Sequence, residues 1–276
     1  MNRGTLKQAL SMSILRYLLG LKEKPDPLLE HCTIAADTHV GRVRNHNEDA
    51  YICICNPSDN ALLLGVADGM GGHEGGEIAS YLATRSLLAR WNKNDHTQFK
   101  NKNGVRGFLD HGLANANQQI YAINQKLNIR WKMGTTVTIG IVWRNKLTIA
   151  QIGDSRCYRM RNGTIRLLTS DHNWMNEMID SGGMTPEEAE AHPLAQTLTN
   201  CLGTFEHLRI EFSEHTIAEG DRYLFCSDGV SSYVDTEFIS EQLNTCDTAP
   251  ESVHNLVNVS LKNGGADNIT AICLFV

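Results

Sequence analysis

The chain has 276 residues, 41% of them hydrophobic and 20% charged, with a formal net charge of −6. That length and balance suit one globular domain with a sizeable core. An acidic chain with no basic cluster argues against a nucleic-acid partner. Eight cysteines occur without a CxxC pair, so reduced thiols in a cytoplasmic protein are expected.

Residues 1–30 read as an extension. Leu6, Leu10, Ile14, Tyr17, Leu18 and Leu21 share one helical face, and Arg3, Lys7, Arg16, Lys22 and Lys24 stand against the single acid Glu23. Arg16 interrupts the apolar run and no small-residue cleavage site follows, which makes a poor signal peptide. The stretch is too short and too charged to span a bilayer, and Pro25 and Pro27 end it. It is a helix packed on the domain or a loose tail, or else a helix that docks a partner or a membrane surface. A single domain is expected over 31–276, with no repeat of solenoid length.

Within that domain, Arg44-Asn45-His46-Asn47-Glu48-Asp49 leads into a strand over Tyr51–Cys55, where Cys53 and Cys55 share a face and read as small buried hydrophobes. Adjacent carboxylates repel, so Glu48 and Asp49 need solvent or a cation beside them. The run Leu62-Leu63-Leu64-Gly65-Val66-Ala67-Asp68 is an apolar strand ending on an aspartate. Five glycines follow between Gly69 and Gly76. They make a flexible turn or a phosphate cradle, but without Gly-Lys-Ser/Thr this is not a nucleotide P-loop. Ile78, Leu82, Leu88 and Trp91 predict one helix. Val105, Phe108, Leu109, Leu113, Ala116, Ile120, Ile123 and Leu127 predict a longer second one.

Two further strands, Leu147–Ile152 and Tyr223–Cys226, also run out onto aspartates, Asp154 and Asp228. Asp267-Asn268 opens the apolar strand Ile269–Val276. Between them, residues 171–200 stand apart as a surface flap of the kind that carries substrate contacts. Trp174, Met175, Met178 and Ile179 form a short helix stripe ended by Gly182-Gly183, and Thr185-Pro186-Glu187-Glu188 is a capping box with proline at the first helical position. A late helix carries Val253, Leu256, Val257 and Leu261 and stops at Asn263-Gly264-Gly265. Strands, two helices, more strands and a mixed tail do not alternate as a doubly wound parallel sheet does. The order fits an α+β fold of antiparallel sheets packed together with helices outside.

Acids at the strand ends of one sheet are expected to converge on one rim, where they cannot all ionise without divalent cations. All-oxygen donors suit Mg²⁺ or Mn²⁺. The 11 histidines show no HxH or HxxxH spacing, so zinc is not expected.

Six motifs in order carry a resemblance. They are Arg44-x-x-Asn47-Glu48-Asp49, Val66-Ala67-Asp68-Gly69-Met70-Gly71-Gly72, Met133-Gly134-Thr135-Thr136, Ile152-Gly153-Asp154-Ser155-Arg156, Ser227-Asp228-Gly229 and Asp267-Asn268-Ile269-Thr270. From about Asp37 to Val276 the chain resembles the bacterial form of the PPM (type 2C) metal-dependent protein serine/threonine phosphatases. The resemblance implies a four-layer α-β-β-α sandwich with two central antiparallel sheets. It implies two cations, Mn²⁺ or Mg²⁺, about 3.5–4 Å apart. Asp68 bridges them, Asp228 and Asp267 complete one, and Glu48 with the carbonyl of Gly69 serves the other. By the same likeness Asp49 acts from behind the ligands, Asp154 joins Asp228 at a third metal, and Arg44 clamps the substrate phosphate.

The implied reaction is hydrolysis of phosphoserine and phosphothreonine on proteins by metal-activated water, reversing a serine/threonine kinase, in a monomeric enzyme. No phosphoenzyme is required, and the Cys-x5-Arg loop of cysteine phosphatases is absent. Met70 stands where many members carry a histidine that serves as general acid, and methionine has no proton to give. His46 and His73 lie nearby in sequence, and both read as solvated. Rival readings are another two-metal hydrolase, or a catalytically degenerate phosphatase fold used for docking. A degenerate module would have lost ligands, whereas every expected carboxylate and Arg44 are present.

Overall fold

Leu62, Leu63, Leu64, Val66 and Ala67 follow one another with a single glycine interruption, a pattern that suits a strand buried on both faces. In the computed structural model, which describes residues 32–56, 61–71, 75–93, 99, 102–127 and 132–276, that strand is β3 (Ala61–Met70). Leu62, Leu64 and Val66 face a second sheet, while Leu63 and Ala67 face helices. The period of two along a strand separates the two sets.

The elements run in chain order as β1 (Thr33–His39), β2 (Asp49–Asn56), β3, α1 (Gly75–Lys93), α2 (Lys102–Leu127), β4 (Gly134–Thr135), β5 (Val137–Trp143), β6 (Lys146–Ile152), β7 (Arg156–Arg161) and β8 (Thr164–Leu167). Then come α3 (Trp174–Asp180), α4 (Pro186–Glu190), β9 (Glu211–Thr216), β10 (Arg222–Cys226), α5 (Asp228–Ser231), α6 (Thr236–Thr245), α7 (Ala249–Lys262) and β11 (Ile269–Phe275). One sheet has five strands in the order β1-β11-β10-β7-β8. The other has six, in the order β2-β3-β5-β6-β9 with β4 paired to β3. The pairings within both sheets are antiparallel.

Three cores separate four layers. Between the sheets lie Ile34, Leu64, Val142, Ile149, Tyr223, Phe225 and Leu274, with Cys53 and Cys55 packed at the edge. Outside the six-stranded sheet, α1 and α2 bury Leu87, Trp91, Phe108, Leu113 and Ile120 against Leu63, Ile139 and Ile141. Outside the five-stranded sheet, α6 and α7 bury Ile239, Leu243, Val253 and Leu256 against Leu224, Ala271 and Cys273. This is the α-β-β-α sandwich that the motifs implied. The described cysteines are all free thiols. No helix among the described residues is long and apolar enough to cross a membrane. The helix expected over residues 1–24 lies outside the described residues.

The structure shifts one predicted face. Ile78 is 45% exposed, and the buried stripe of α1 is Gly76, Ala79, Ser80, Ala83, Thr84, Leu87 and Trp91. Small residues let the helix lie close on the sheet, and at that distance the Ser80 hydroxyl donates to the backbone oxygen of Glu48 at 2.6 Å. Packing thus selects the small side chains, where a count of large apolar residues points elsewhere. The 171–200 segment contains the two expected short helices. The Thr185 capping box is formed, and Asn173 caps α3.

The turn before β10 is closed by a buried charge. Asp221 has a fully buried side chain and accepts from Arg161 at 2.6 and 2.5 Å, from the Tyr223 hydroxyl at 2.8 Å and from the Ala218 amide at 2.9 Å. Burial pushes this carboxyl up, but its donors outweigh burial and hold it below the usual range. Its contribution is therefore present above the ordinary aspartate pKa of ~4 and lost as pH falls through the lower folded value. Asp221→Ala should cost about 3 kcal/mol in urea unfolding at pH 7, because Arg161 loses its partner. That deficit should shrink steadily as the pH is taken below ~4.

Candidate active site

Asp49 opens β2 and stands directly opposite Asp68 in the β2–β3 register. Like charges in facing positions destabilise a sheet, so this pairing must serve something other than strand stability. Asp154 follows β6 on the same six-stranded sheet, whereas Asp228 and Asp267 flank β10 and β11 of the five-stranded one. The expectation that the acids hang from one sheet is thereby corrected. Face-to-face packing of β3 against β10 and β11 across the inter-sheet core brings the two rims together.

A cavity of about 750 Å³ opens at this shared rim. Arg44, Glu48, Asp68, Gly69, Asp154, Asp228 and Asp267 all line it, together with His46, Met70, Gln196 and Leu198. Asp49 stands behind the lining, its Oδ2 held by the Thr270 hydroxyl at 2.6 Å and the Ser227 hydroxyl at 2.8 Å. Its other oxygen, Oδ1, is buried without a hydrogen-bond partner, as is Oδ1 of Asp228. Arg44 donates through Nη2 to Asp267 Oδ2 at 2.8 Å, which uses one of its five N–H donors. His73 lies outside the described residues.

Several of these acids are hard to ionise together. Burial lifts Asp68 well above the carboxylate range, and Asp49, Asp228 and Asp154 lift it further by repulsion and by a carboxyl contact with Asp228. Asp49 is pushed up to about 7 by burial, against the opposing bonds from Thr270 and Ser227, with Asp228 and Asp267 adding repulsion. Asp154 is also pushed up to about 7, by burial and then by Asp228 and Asp171. Glu48 is raised by burial, against the opposing pull of Arg44. Burial likewise raises Asp228.

Divalent cations fit these donors. Every one is an oxygen, two buried carboxylate oxygens lack partners, and the summed negative charge calls for a compensating positive one. Among the described residues no three His, Cys, Asp or Glu side chains already form a closed cation cage. The donors instead stand around an open cavity.

Residues without a predicted role build the frame. Asn268 accepts from the Glu48 amide at 2.8 Å and donates to the oxygens of Val40 and His46, both at 2.9 Å. One side chain thus ties the loop bearing Arg44 and Glu48 to the start of β11. Thr136 accepts from the Asp68 amide at 3.1 Å and donates its own amide to the Asp68 oxygen at 2.8 Å. All these residues belong to the six motifs, which was the signal available for them. The glycine-rich turn acts through close approach, because a Cβ on Gly76 would sit 2.6 Å from Glu48 Oε2. Gln196 and Leu198 carried no signal of their own.

Burial of these carboxylates, with the repulsion among them, predicts a pH signature. A carboxyl whose folded pKa is raised costs stability once pH exceeds its unfolded value of ~4. In chelator-treated protein, Asp154→Asn should leave the melting temperature unchanged near pH 4 and raise it by a few degrees above about pH 7. A variant that melts lower than wild type above that pH would refute the raised carboxyl.

Comparison with known proteins follows the same lines. A family model described as protein phosphatase 2C matches residues 38–271. The chain is 34% identical over 233 residues to protein phosphatase PhpP of Streptococcus pneumoniae, covering 84% of this chain and 93% of that one. It is 36% identical over 239 residues to serine/threonine protein phosphatase PstP of Mycobacterium tuberculosis, covering 86% of this chain and 44% of the longer relative. Among solved structures, the S. agalactiae serine/threonine phosphatase superposes with a TM-score of 0.83 at 30% identity, covering 89% of this chain and 100% of that one. The catalytic domain of PstP in complex with two manganese ions gives a TM-score of 0.74 at 32% identity, covering 88% and 97%. On the match over residues 38–271 and on these relatives, the chain belongs to the protein phosphatase 2C family.

Proposed function

We propose that this chain hydrolyses phosphoserine and phosphothreonine on proteins with Mn²⁺ or Mg²⁺ bound in the rim cavity, opposing a serine/threonine kinase. The observation that carries the reading is the convergence of Glu48, Asp68, Asp154, Asp228 and Asp267 with Arg44 on one cavity. Asp68 would bridge two cations, Asp228 and Asp267 would complete one, and Glu48 with the Gly69 carbonyl would hold the other. Asp154 with Asp228 would hold a third. When bound, such ions supply Lewis-acid charge and acidify water.

The protein's own groups do the rest. Arg44 binds the phosphate through N–H donors beyond the one spent on Asp267, and a guanidinium fork matches phosphate oxygens. Asp49, fixed on its Oδ2 by Thr270 and Ser227, offers its unpartnered Oδ1 as an acceptor for a water proton. Met70 lines the cavity but carries no proton, so the leaving serine or threonine oxygen takes its proton from water or from a second side chain. Residues 171–200 place Gln196 and Leu198 in the lining, which supports a substrate-contacting role for that segment. The full set of carboxylates gives no support to a degenerate docking module.

Asp68→Asn or Asp228→Asn should abolish turnover of a phosphothreonine peptide while circular dichroism stays unchanged. Turnover near the wild-type rate would sink the metal assignment. Excess EDTA should abolish activity and Mn²⁺ should restore it. Arg44→Ala should raise KM for the peptide by ~10-fold or more, as expected for losing charged hydrogen bonds. Activity confined to phosphotyrosine peptides would overturn the substrate class.

A further inference from the structure

His172 is 3% exposed and takes no part in the chemistry above, yet its ring joins three separate parts of the chain. Nδ1 accepts from the Gly153 amide at 3.1 Å and from the Asn200 side-chain amide at 2.9 Å, and Nε2 lies 3.1 Å from Glu211 Oε2. Two donors at Nδ1 and a carboxylate at Nε2 fit one neutral tautomer, with its proton on Nε2. The backbone reinforces both links. The His172 amide donates to the Gly153 oxygen at 3.0 Å, and the Thr199 amide donates to the His172 oxygen at 2.9 Å.

Each partner matters to the cavity. Gly153 has a φ of +96°, and a Cβ there would lie 2.6 Å from Thr136, so no other residue fits that peptide. Its orientation depends on hydrogen bonds, and the next residue is Asp154. Asn200, 5% exposed, closes the far end of the 171–200 segment and also donates to the Arg209 oxygen at 2.7 Å. Gln196 and Leu198 lie just inside that closure, and a bridge between Asn173 and Leu198 narrows it further.

We infer that His172 is a positioning residue whose Nδ1 fixes the Gly153–Asp154 peptide and clasps both ends of the 171–200 segment, so that Asp154 and the substrate-facing Gln196 and Leu198 keep one mutual placement. The inference rests on the reading of the cavity as a phosphatase site. Groups behind a ligand that act in this way are commonly worth 10–100-fold in metal affinity or activity.

The test separates the two ring nitrogens. His172→Asn places an amide oxygen where Nδ1 was, whereas His172→Gln reaches only the position of Nε2. Amide hydrogen exchange of the chelated protein should rise in both 152–155 and 171–200 for His172→Gln, and in neither for His172→Asn. Exchange that rises over 171–200 alone would overturn the link to Asp154. For turnover of a phosphothreonine peptide with Mn²⁺, His172→Gln should lose ~10–100-fold in kcat/KM, and combining it with Asp154→Asn should cost no more than the worse single variant. Effects that multiply would place His172 outside the Asp154 pathway.

Asp154→Asn alone with wild-type kinetics would instead sink the role given to Asp154, leaving the exchange result to decide the clasp. Should His172→Gln not fold, His172→Asn carries the test. Activity within a few-fold of wild type supports the Nδ1 role, and a tenfold loss at an unchanged melting temperature refutes it.

Discussion

Burial of several carboxylates side by side, out of water and against one another, is the constraint around which this molecule is arranged. Asp49 and Asp68 face one another across a strand pair, and burial with neighbouring charge lifts Asp68, Asp49 and Asp154 well out of the carboxylate range. A fold free to relax would splay these groups into water. Here they are held on paired backbone, since each acid sits within two residues of a strand bonded into a sheet. Stability is surrendered at the rim and recovered in three apolar cores, the trade expected where a site must be ready before its ligand arrives.

The frame behind the acids is made of neutral polar groups. Asn268, Thr136, Ser227 and Thr270 fix peptides and carboxylates without adding charge, and each is itself buried. Asn268 spends its amide on three partners around the 40–48 loop. A charged residue there would either neutralise a ligand or repel it. Short amides and hydroxyls supply direction alone, and their full satisfaction keeps the network rigid.

Much of this was legible in the sequence for a local reason. An apolar run ending on aspartate, as at Asp68 and Asp228, is both a strand and a placement of its terminal acid. The capping box at Thr185 and the stop at Asn263-Gly264-Gly265 are similarly local. What pattern missed was long-range. Nothing in the period of β1 says that it pairs with β11 more than two hundred residues later, with Thr33 opposite Phe275. The sharing of the rim between two sheets therefore could not be read. The small-residue face of α1 escaped for a different reason. Close packing rewards Ala79 and Ala83, while counts of large side chains favour Ile78. His172 looked like any dispersed histidine, because its partners Gly153, Asn200 and Glu211 meet only in space.

The position of β11 bears on when the protein can act. It follows the other described strands in the chain, yet it lies inside its sheet between β1 and β10, with Asp267 and Asn268 at its head. A growing chain that has made the described elements up to α7 still has β1 without a neighbour in its sheet, a loop around Arg44 without its anchor and a cavity without one wall. Chains usually fold from their N-terminal end as they emerge. Here the cavity gains Asp267, and the Arg44 loop its anchor on Asn268, only once β11 is in place.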